Sequence, residues 1–303
     1  MAVPLRPTAT QGGPGETAAV STYREYPPGP EMVRVVACTW HGVAGWPRRM
    51  RVLPDGCLDL VWDGQQARAV RPAAGPVRHP VGAGREVTGI RIRPGWAALV
   101  LGLPLRHLPD VTDLGGLWDP AAARCLEAAL FAAPTAAARR EALKCAIAGR
   151  LAQAADPDPE VLGAVQVLGQ PAASAGYAAR NANLSTRQLR RRFDDHIGLP
   201  PKTLHAILRF QRLRAWLASP SSGVATLARG AADCGYFDQA HLCRECRRLA
   251  GLTPGTLLAA MTDDHEQRRA YQPAETGNQT TSVPASRATS IRSSRQRNWP
   301  PCR

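Results

Sequence analysis

Residues 178–193 read Ala178-Ala-Arg-Asn-Ala-Asn-Leu-Ser-Thr-Arg-Gln-Leu-Arg-Arg-Arg-Phe193, and the second half of the chain is understood from this stretch outward. A short helix is expected to end near Ala182. Asn183 stands where the chain must turn sharply, and Asn tolerates the left-handed conformation better than most residues. Ser185 then has the chemistry of an N-cap, and Gln188 three residues on completes a capping box. Leu184 is placed to staple to Leu189. Leu189, Phe193 and Ile197 recur at helical spacing as an inward stripe, while Arg187, Arg190 and Arg191 take the outward face. A helix with an apolar stripe behind and three arginines in front has the shape and charge to enter the major groove of DNA.

A second unit of the same kind runs from Val224 to Leu249. Gly235 supplies the tight turn that ends its first helix. Asp238 is an N-cap for the next, with Phe237 placed to staple Leu242. Gln239, His241, Arg244 and Arg248 project from that helix, and Leu242, Cys246 and Leu249 face inward. Between the units, Pro201 to Ala218 reads as one amphipathic helix burying Leu204, Ile207, Leu208, Leu213 and Leu217, which would fix the two reading helices relative to each other. Residues 172–250 carry 13 Arg+Lys against 5 Asp+Glu. That local excess, on helices with the right turns, favours DNA over a merely solvated face.

The stretch resembles the AraC/XylS-type DNA-binding domain. The residues that carry the likeness are Leu184-Ser185, Leu189, Arg191-Arg-Phe193, Gly198, Pro201-Lys202, Arg209, Gln211-Arg212-Leu213, Gly235-Tyr236, Asp238-Gln239-Ala240-His241-Leu242, Arg244 and Gly251-Leu-Thr-Pro254. The resemblance implies seven helices and two helix–turn–helix units whose recognition helices enter successive major-groove segments. By position it implies Arg187, Arg190 and Arg191 from the first and Gln239, His241 and Arg244 from the second, with Ser185 and Arg209 counted among the DNA-binding residues. Three positions depart from the family pattern: Gly230 replaces an apolar residue, at about 1 kcal/mol of helix preference relative to Ala, Asn183 stands where Gly is commoner, and Cys246 replaces Phe.

Upstream the pattern changes. From Tyr23 to about Trp118, short apolar runs such as Val33-Arg-Val-Val-Ala-Cys, Leu58-Asp-Leu-Val-Trp and Val87-Thr-Gly-Ile-Arg-Ile are broken by Pro and Gly, with a turn at Pro54-Asp-Gly. This is a β-rich domain. It resembles an uncharacterised β-rich domain found ahead of such DNA-binding units, through Tyr23, Glu25, Pro28, Trp40, Pro54-Asp-Gly-Cys-Leu-Asp59-Leu-Val and Gly89-Ile-Arg-Ile-Arg-Pro-Gly95. Leu126, Leu130, Leu143, Ile147 and Leu151 then fall at helical spacing, broken near Pro134, so a helical pair closes this half. The fold class is α+β: a disordered leader at 1–20, a β-rich sensor or dimerisation domain at 21–155, a helical domain at 160–260 behind the linker Asp156-Pro-Asp-Pro, and a disordered basic tail at 261–303.

The chain has 303 residues and a formal charge of +14. Such an excess suits a polyanion, but charge alone does not choose between nucleic acid and an anionic membrane. No run of about 18 apolar residues is present, which excludes a membrane-spanning helix, and Met1 to Val20 lacks a signal sequence. A cytoplasmic location is therefore expected, with the eight scattered Cys reduced.

Several chemistry-bearing residues have a plainer reading. Cys243-x-x-Cys246, with Cys234 and His241 nearby, has zinc-ligand spacing. However, Cys234 and Cys246 fall on core-facing positions, where Cys behaves as a small hydrophobe. Asp55 is best explained as a turn former and Asp59 as satisfying a local backbone group. Cys38 and Cys57 are the candidate nucleophiles of the competing reading, a thiol-dependent alkyl transferase fused to a DNA-binding module, but they read better as buried inert thiols. Trp40, Trp46, Trp62 and Trp96 read as core, although a Trp-lined β-rich domain is also where a small-molecule effector would sit. No catalytic residue, metal or cofactor is expected. The expected partners are double-stranded promoter DNA, with room for an effector in the first domain and for a homodimer, and no membrane.

Overall fold

The computed structural model describes residues 21–219 and 226–261. The expected leader at 1–20, the start of the second unit at Val224, and all but the first residue of the expected tail lie outside them.

The first half is built on a six-stranded sheet of order β1-β2-β7-β4-β5-β8. Its strands are β1 (Thr22–Tyr26), β2 (Val36–Val43), β4 (Leu58–Trp62), β5 (Ala67–Val70), β7 (Glu86–Ile92) and β8 (Val111–Asp113), and every neighbouring pair is antiparallel. Two further strands, β3 (Arg48–Val52) and β6 (Val77–Val81), form a separate two-stranded ribbon. In β4, Leu58, Leu60 and Trp62 alternate inward and join Ile90, Ile92 and Val36 in one core, as a strand period of two requires. The run at Val33 enters its strand only at Val36. Residues before it form a turn in which the Val36 N–H donates to Met32 O, which lets Met32 and Val35 reach the core.

Three helices cover the inward face: α1 (Ala97–Leu101), α2 (Pro120–Ala132) and α3 (Ala136–Gln153). Asp119 caps α2 by accepting from the Ala121 and Ala122 N–H groups with Pro120 in the first turn, and Thr135 caps α3. The break expected near Pro134 lies between them. Leu126, Leu130, Leu143 and Ile147 point into the same core.

The second half is helical: α4 (Pro159–Leu168), α5 (Ala175–Asn181), α6 (Thr186–His196), α7 (Pro201–Leu217), α8 (Leu227–Cys234) and α9 (Gln239–Ala250), followed by α10 over 254–261. These match in number the seven helices that the family resemblance implies. Leu189, Phe193, Ile197, Leu204, Ile207, Phe210, Leu213, Leu242, Cys246 and Leu249 share one core. Leu208, expected inside, is only partly buried, and Phe210 takes the central place.

The two halves meet through the turn between β3 and β4. Leu53 belongs to the core of the helical half. A Cβ on Gly56 would stand 2.5 Å from Leu204 and close to Ile207, so the turn lies directly on α7. Gln211 donates to Pro54 O at 2.6 Å, and Arg71 donates to Leu108 O at 3.0 Å and Gly198 O at 2.7 Å, tying the first half to the end of α6.

Beneath that turn the outward face of the sheet holds a buried charge cluster. Arg91, with a side chain 5% exposed, pairs with Glu25 at 3.0 Å, Asp55 at 2.9 Å and Asp59 at 3.1 Å. Trp40 Nε1 donates to Asp59 and the Tyr23 hydroxyl to Glu25. Asp55 also accepts from the Cys57 N–H, the turn-forming role expected of it. Asp59 does otherwise than expected: its partners are the side chains of Arg91 and Trp40, because it stands directly across from Arg91 in the sheet. Arg214 of α7 is buried beside the cluster, and burial lowers its pKa to about 10 against the pull of Asp55 and Glu25.

Candidate nucleic-acid interface

Two helix–turn–helix units project their second helices from the core. In the first, α5 ends, Asn183 takes φ 52°, and α6 begins. The left-handed residue is the Asn expected there. Ser185 accepts from the Gln188 N–H while the Gln188 side chain returns to the Ser185 N–H, a complete capping box. Leu184 packs on the core that contains Leu189. Arg187, Arg190 and Arg191 are all exposed. Arg190 approaches Asp194 only at 3.9 Å, which costs it little mobility. Arg192, by contrast, turns back to Asp158 at 2.7 Å and Glu160 at 3.1 Å and braces α6 against the start of α4.

In the second unit Gly235 takes φ 80° and Asp238 caps α9 by accepting from the His241 N–H at 2.6 Å. Gln239 and Arg244 are exposed. His241 is half-buried: its ring meets Tyr236 edge-on at 5.4 Å, and its Nδ1 accepts from the Phe237 N–H at 3.4 Å. Arg209 stands apart from the exposed set. It binds Glu245 at 2.7 Å and lies over the Tyr236 ring at 4.8 Å, with its side chain 12% exposed. Its place is the α7–α9 joint, where it braces α9 rather than facing outward.

The expected staple of Phe237 to Leu242 does not form. Phe237 is 92% exposed, while its neighbour Tyr236 is buried. Consecutive side chains at this bend cannot both point inward, and the larger polar-tipped ring takes the core. Phe237 therefore stands exposed beside the N-terminus of α9. The signal in the sequence was the Tyr236-Phe237 pair, of which only one could be core.

Gly230 also has a structural reason. A Cβ there would stand 2.8 Å from the Trp216 ring, so α8 can rest on that ring only without a side chain. Gly230→Ala gains helix preference of about 1 kcal/mol but overpacks a rigid ring, at about 1–3 kcal/mol. It is expected to lower stability by on the order of 1 kcal/mol, read from urea unfolding followed by tryptophan fluorescence. An increase in stability would show that the ring moves aside freely.

A family model described as "Helix-turn-helix domain" matches residues 178–260. Residues 178–260 are a helix–turn–helix domain of the AraC type. A second model, described as "Domain of unknown function (DUF6597)", matches residues 24–112, the strands ahead of it. The AraC-type domain makes the chain a DNA-binding transcription regulator. Among solved structures, ToxT from Vibrio cholerae O395 is 7% identical, covers 80% of this chain and 98% of its own, and superimposes with a TM-score of 0.40. The same protein bound to a methylnaphthalenyl butenoic acid is 8% identical, with 80% and 99% coverage and a TM-score of 0.41. Unsaturated fatty acid-bound ToxT from strain SCE256 is 9% identical, with 80% and 95% coverage and a TM-score of 0.37. No curated protein matches the chain.

Cys234 and Cys246 are buried in the core of the AraC-type domain, as their helix positions suggested. In the strand domain burial pushes the Cys38 thiol up to about 12 and holds Cys57 well above its ordinary value. Both shifts disfavour the thiolate, which is the nucleophilic form. Trp62 belongs to the core, and Trp40 lies against Tyr23 and over Gly89. One cleft opens on this half and another where it meets the helical half. One of about 300 Å³ is lined by Trp62, Arg85, Phe131 and Arg139, and one of about 470 Å³, between α1, α3 and the end of α6, by Leu99, Leu103, Arg150 and His196.

Proposed function

We propose that the chain is a sequence-specific regulator that reads a promoter with α6 and α9 in successive major-groove segments, about 34 Å apart along one face of the duplex. The observation that carries this is the pair of capped helices, each with its apolar stripe buried and its arginines exposed. Arg187, Arg190 and Arg191 on α6, and Gln239, Arg244 and Phe237 at α9, are the residues we assign to DNA. Ser185 presents its capped helix N-terminus to a phosphate. His241 and Arg209 hold α9 in position from the inner side. No catalytic step is assigned: Cys38 is buried and Cys57 half-buried, and burial raises the pKa of both thiols.

In this reading a sensor or dimerisation domain at 21–155 precedes a DNA-binding domain at 160–260, with Asp156-Pro-Asp-Pro as the linker. An effector would enter the cleft of the first domain or the one between that domain and the end of α6, and a second copy of the chain is the alternative signal. No helix among the described residues is long and apolar enough to cross a membrane, and the cytoplasm, where promoter DNA is met, is the location we assign.

The test is selection of bound sequences by the whole chain from a random duplex pool at about 0.15 M salt. Two short blocks about 10 base pairs apart are expected. On the selected site, Arg187→Ala or Arg244→Ala should each cost about 1–3 kcal/mol and relax preference at one base. Weakening that is equal for every sequence would reassign both arginines to phosphates. Enrichment of a single block would remove one of the two helices from base reading.

A further inference from the structure

The β3–β6 ribbon is not part of the main sheet, and its purpose is not explained by the core. Its register is Arg49 opposite Pro80, Arg51 opposite Arg78, and Val52 opposite Val77. Side chains alternate across a strand, so Arg49, Arg51, Arg78 and Pro80 share one face. Arg48, Met50, Val52, Val77, His79 and Val81 share the other. Neither strand contains an acidic residue. Arg51 and Arg78 are directly opposed, an arrangement that destabilises a two-stranded pair, and the Arg78 charge works with burial to lower the Arg51 pKa. Arg49 and Arg78 are exposed, and among the described residues neither has a carboxylate within ion-pair distance. An arginine face that no carboxylate among the described residues compensates is suited to an anion from outside.

The ribbon's position names the anion. Arg51 Nη1 donates to Ala250 O, the last residue of α9, at 3.3 Å. Gly75, just before β6, comes against the Arg248 carbonyl. The basic face therefore begins where the second reading helix ends. A helix of 12 residues is about 18 Å long, and the major groove is about 12 Å wide. With the N-terminus of α9 at the base edges, its C-terminus emerges over the phosphates that border the groove. Arg247, exposed in the last turn, continues the same line of charge.

We infer that the β3–β6 ribbon is a third DNA-binding element, an arm of the first domain that grips backbone phosphates beside the α9 half-site through Arg49 and Arg78. Arg51 fastens the arm to the end of α9. The inference rests on the assignment of α9 to the major groove. It gives the first domain a direct hold on DNA, carrying affinity but no sequence information.

The test uses the whole chain and a 40-base-pair duplex carrying the selected site, with affinity measured from about 50 to 200 mM salt. Each phosphate that the protein no longer neutralises lowers the slope of log K against log salt by about 0.9. Arg49→Ala/Arg78→Ala should therefore reduce the slope by about 1.8, weaken every sequence alike and keep base preference. Arg49→Lys/Arg78→Lys should restore the slope. Arg124→Ala, an exposed arginine on α2, controls for net charge and should leave the slope unchanged. A double variant that unfolds as the wild type does but keeps the full slope, or one no different from Arg124→Ala, overturns the arm. It leaves α6 and α9 standing, since their variants report through base preference instead. No salt-dependent binding by the unmodified chain would overturn both readings.

Discussion

Arg91→Met is expected to cost roughly 3–5 kcal/mol of stability, the range for removing one partner from a buried ion cluster. The guanidinium is surrounded by Glu25, Asp55 and Asp59, whose side chains are 10%, 13% and 16% exposed. Burial works against its charge, yet Asp59 and Asp55 hold its pKa well above the ordinary value. Met preserves much of the stem and removes the charge, so three carboxylates would be left with only Arg214 nearby. At about 2–4 °C per kcal/mol for a protein of this size, the midpoint of thermal unfolding should fall by about 10 °C. The pH dependence has a definite sign. Burial already raises the Asp59 pKa in the intact protein, and removing Arg91 raises it further. A carboxyl with a raised folded pKa contributes stability below its unfolded value and loses it as pH rises through the folded one. The deficit of the variant should therefore be larger at pH 7.5 than at pH 5, and Asp59→Asn in the same chain should recover part of it. A deficit under 1 kcal/mol would mean that water reaches the cluster.

Gly235→Ala should displace α9 while sparing α6. At φ 80° an added Cβ would lie 2.3 Å from Pro171 O and 2.9 Å from its carbonyl carbon. The left-handed conformation costs an L-residue about 1–2 kcal/mol, and backbone atoms cannot move aside as a flexible side chain can. A total on the order of 3 kcal/mol is expected, concentrated where α8 joins α9. Footprinting on the selected site should show loss of protection over the α9 block, with the α6 block retained. Equal loss over both blocks would mean that the two units cannot open separately.

The helical half was largely legible in the sequence because its signals are local. The capping box at Ser185 and Gln188, the left-handed Asn183, Gly235 and the Asp238 cap each act within four residues, and the apolar stripe of α6 lies within three turns. Arg209 was misplaced for the opposite reason, whereas Phe237 lost the core to its own neighbour Tyr236. Whether a side chain points out or in at the α7–α9 joint depends on what already fills it, and Glu245 and Tyr236 arrive there from separate places in the sequence. Gly230, a flaw when judged by helix preference, is required by Trp216, which reaches it from another helix.

Composition, periodicity and cap residues alone determined a β-rich half, a helical half, two capped helices and which of their residues are outward arginines, since helix caps and hydrophobic period are properties of neighbouring residues. Only the tertiary structure decided that Pro54-Asp-Gly-Cys57 lies against α7, that Arg91 sits among three carboxylates, and that a ribbon of arginines ends at α9. Those are long-range pairings of charge and shape, set by which surfaces exclude water together, and no window along the chain contains both partners.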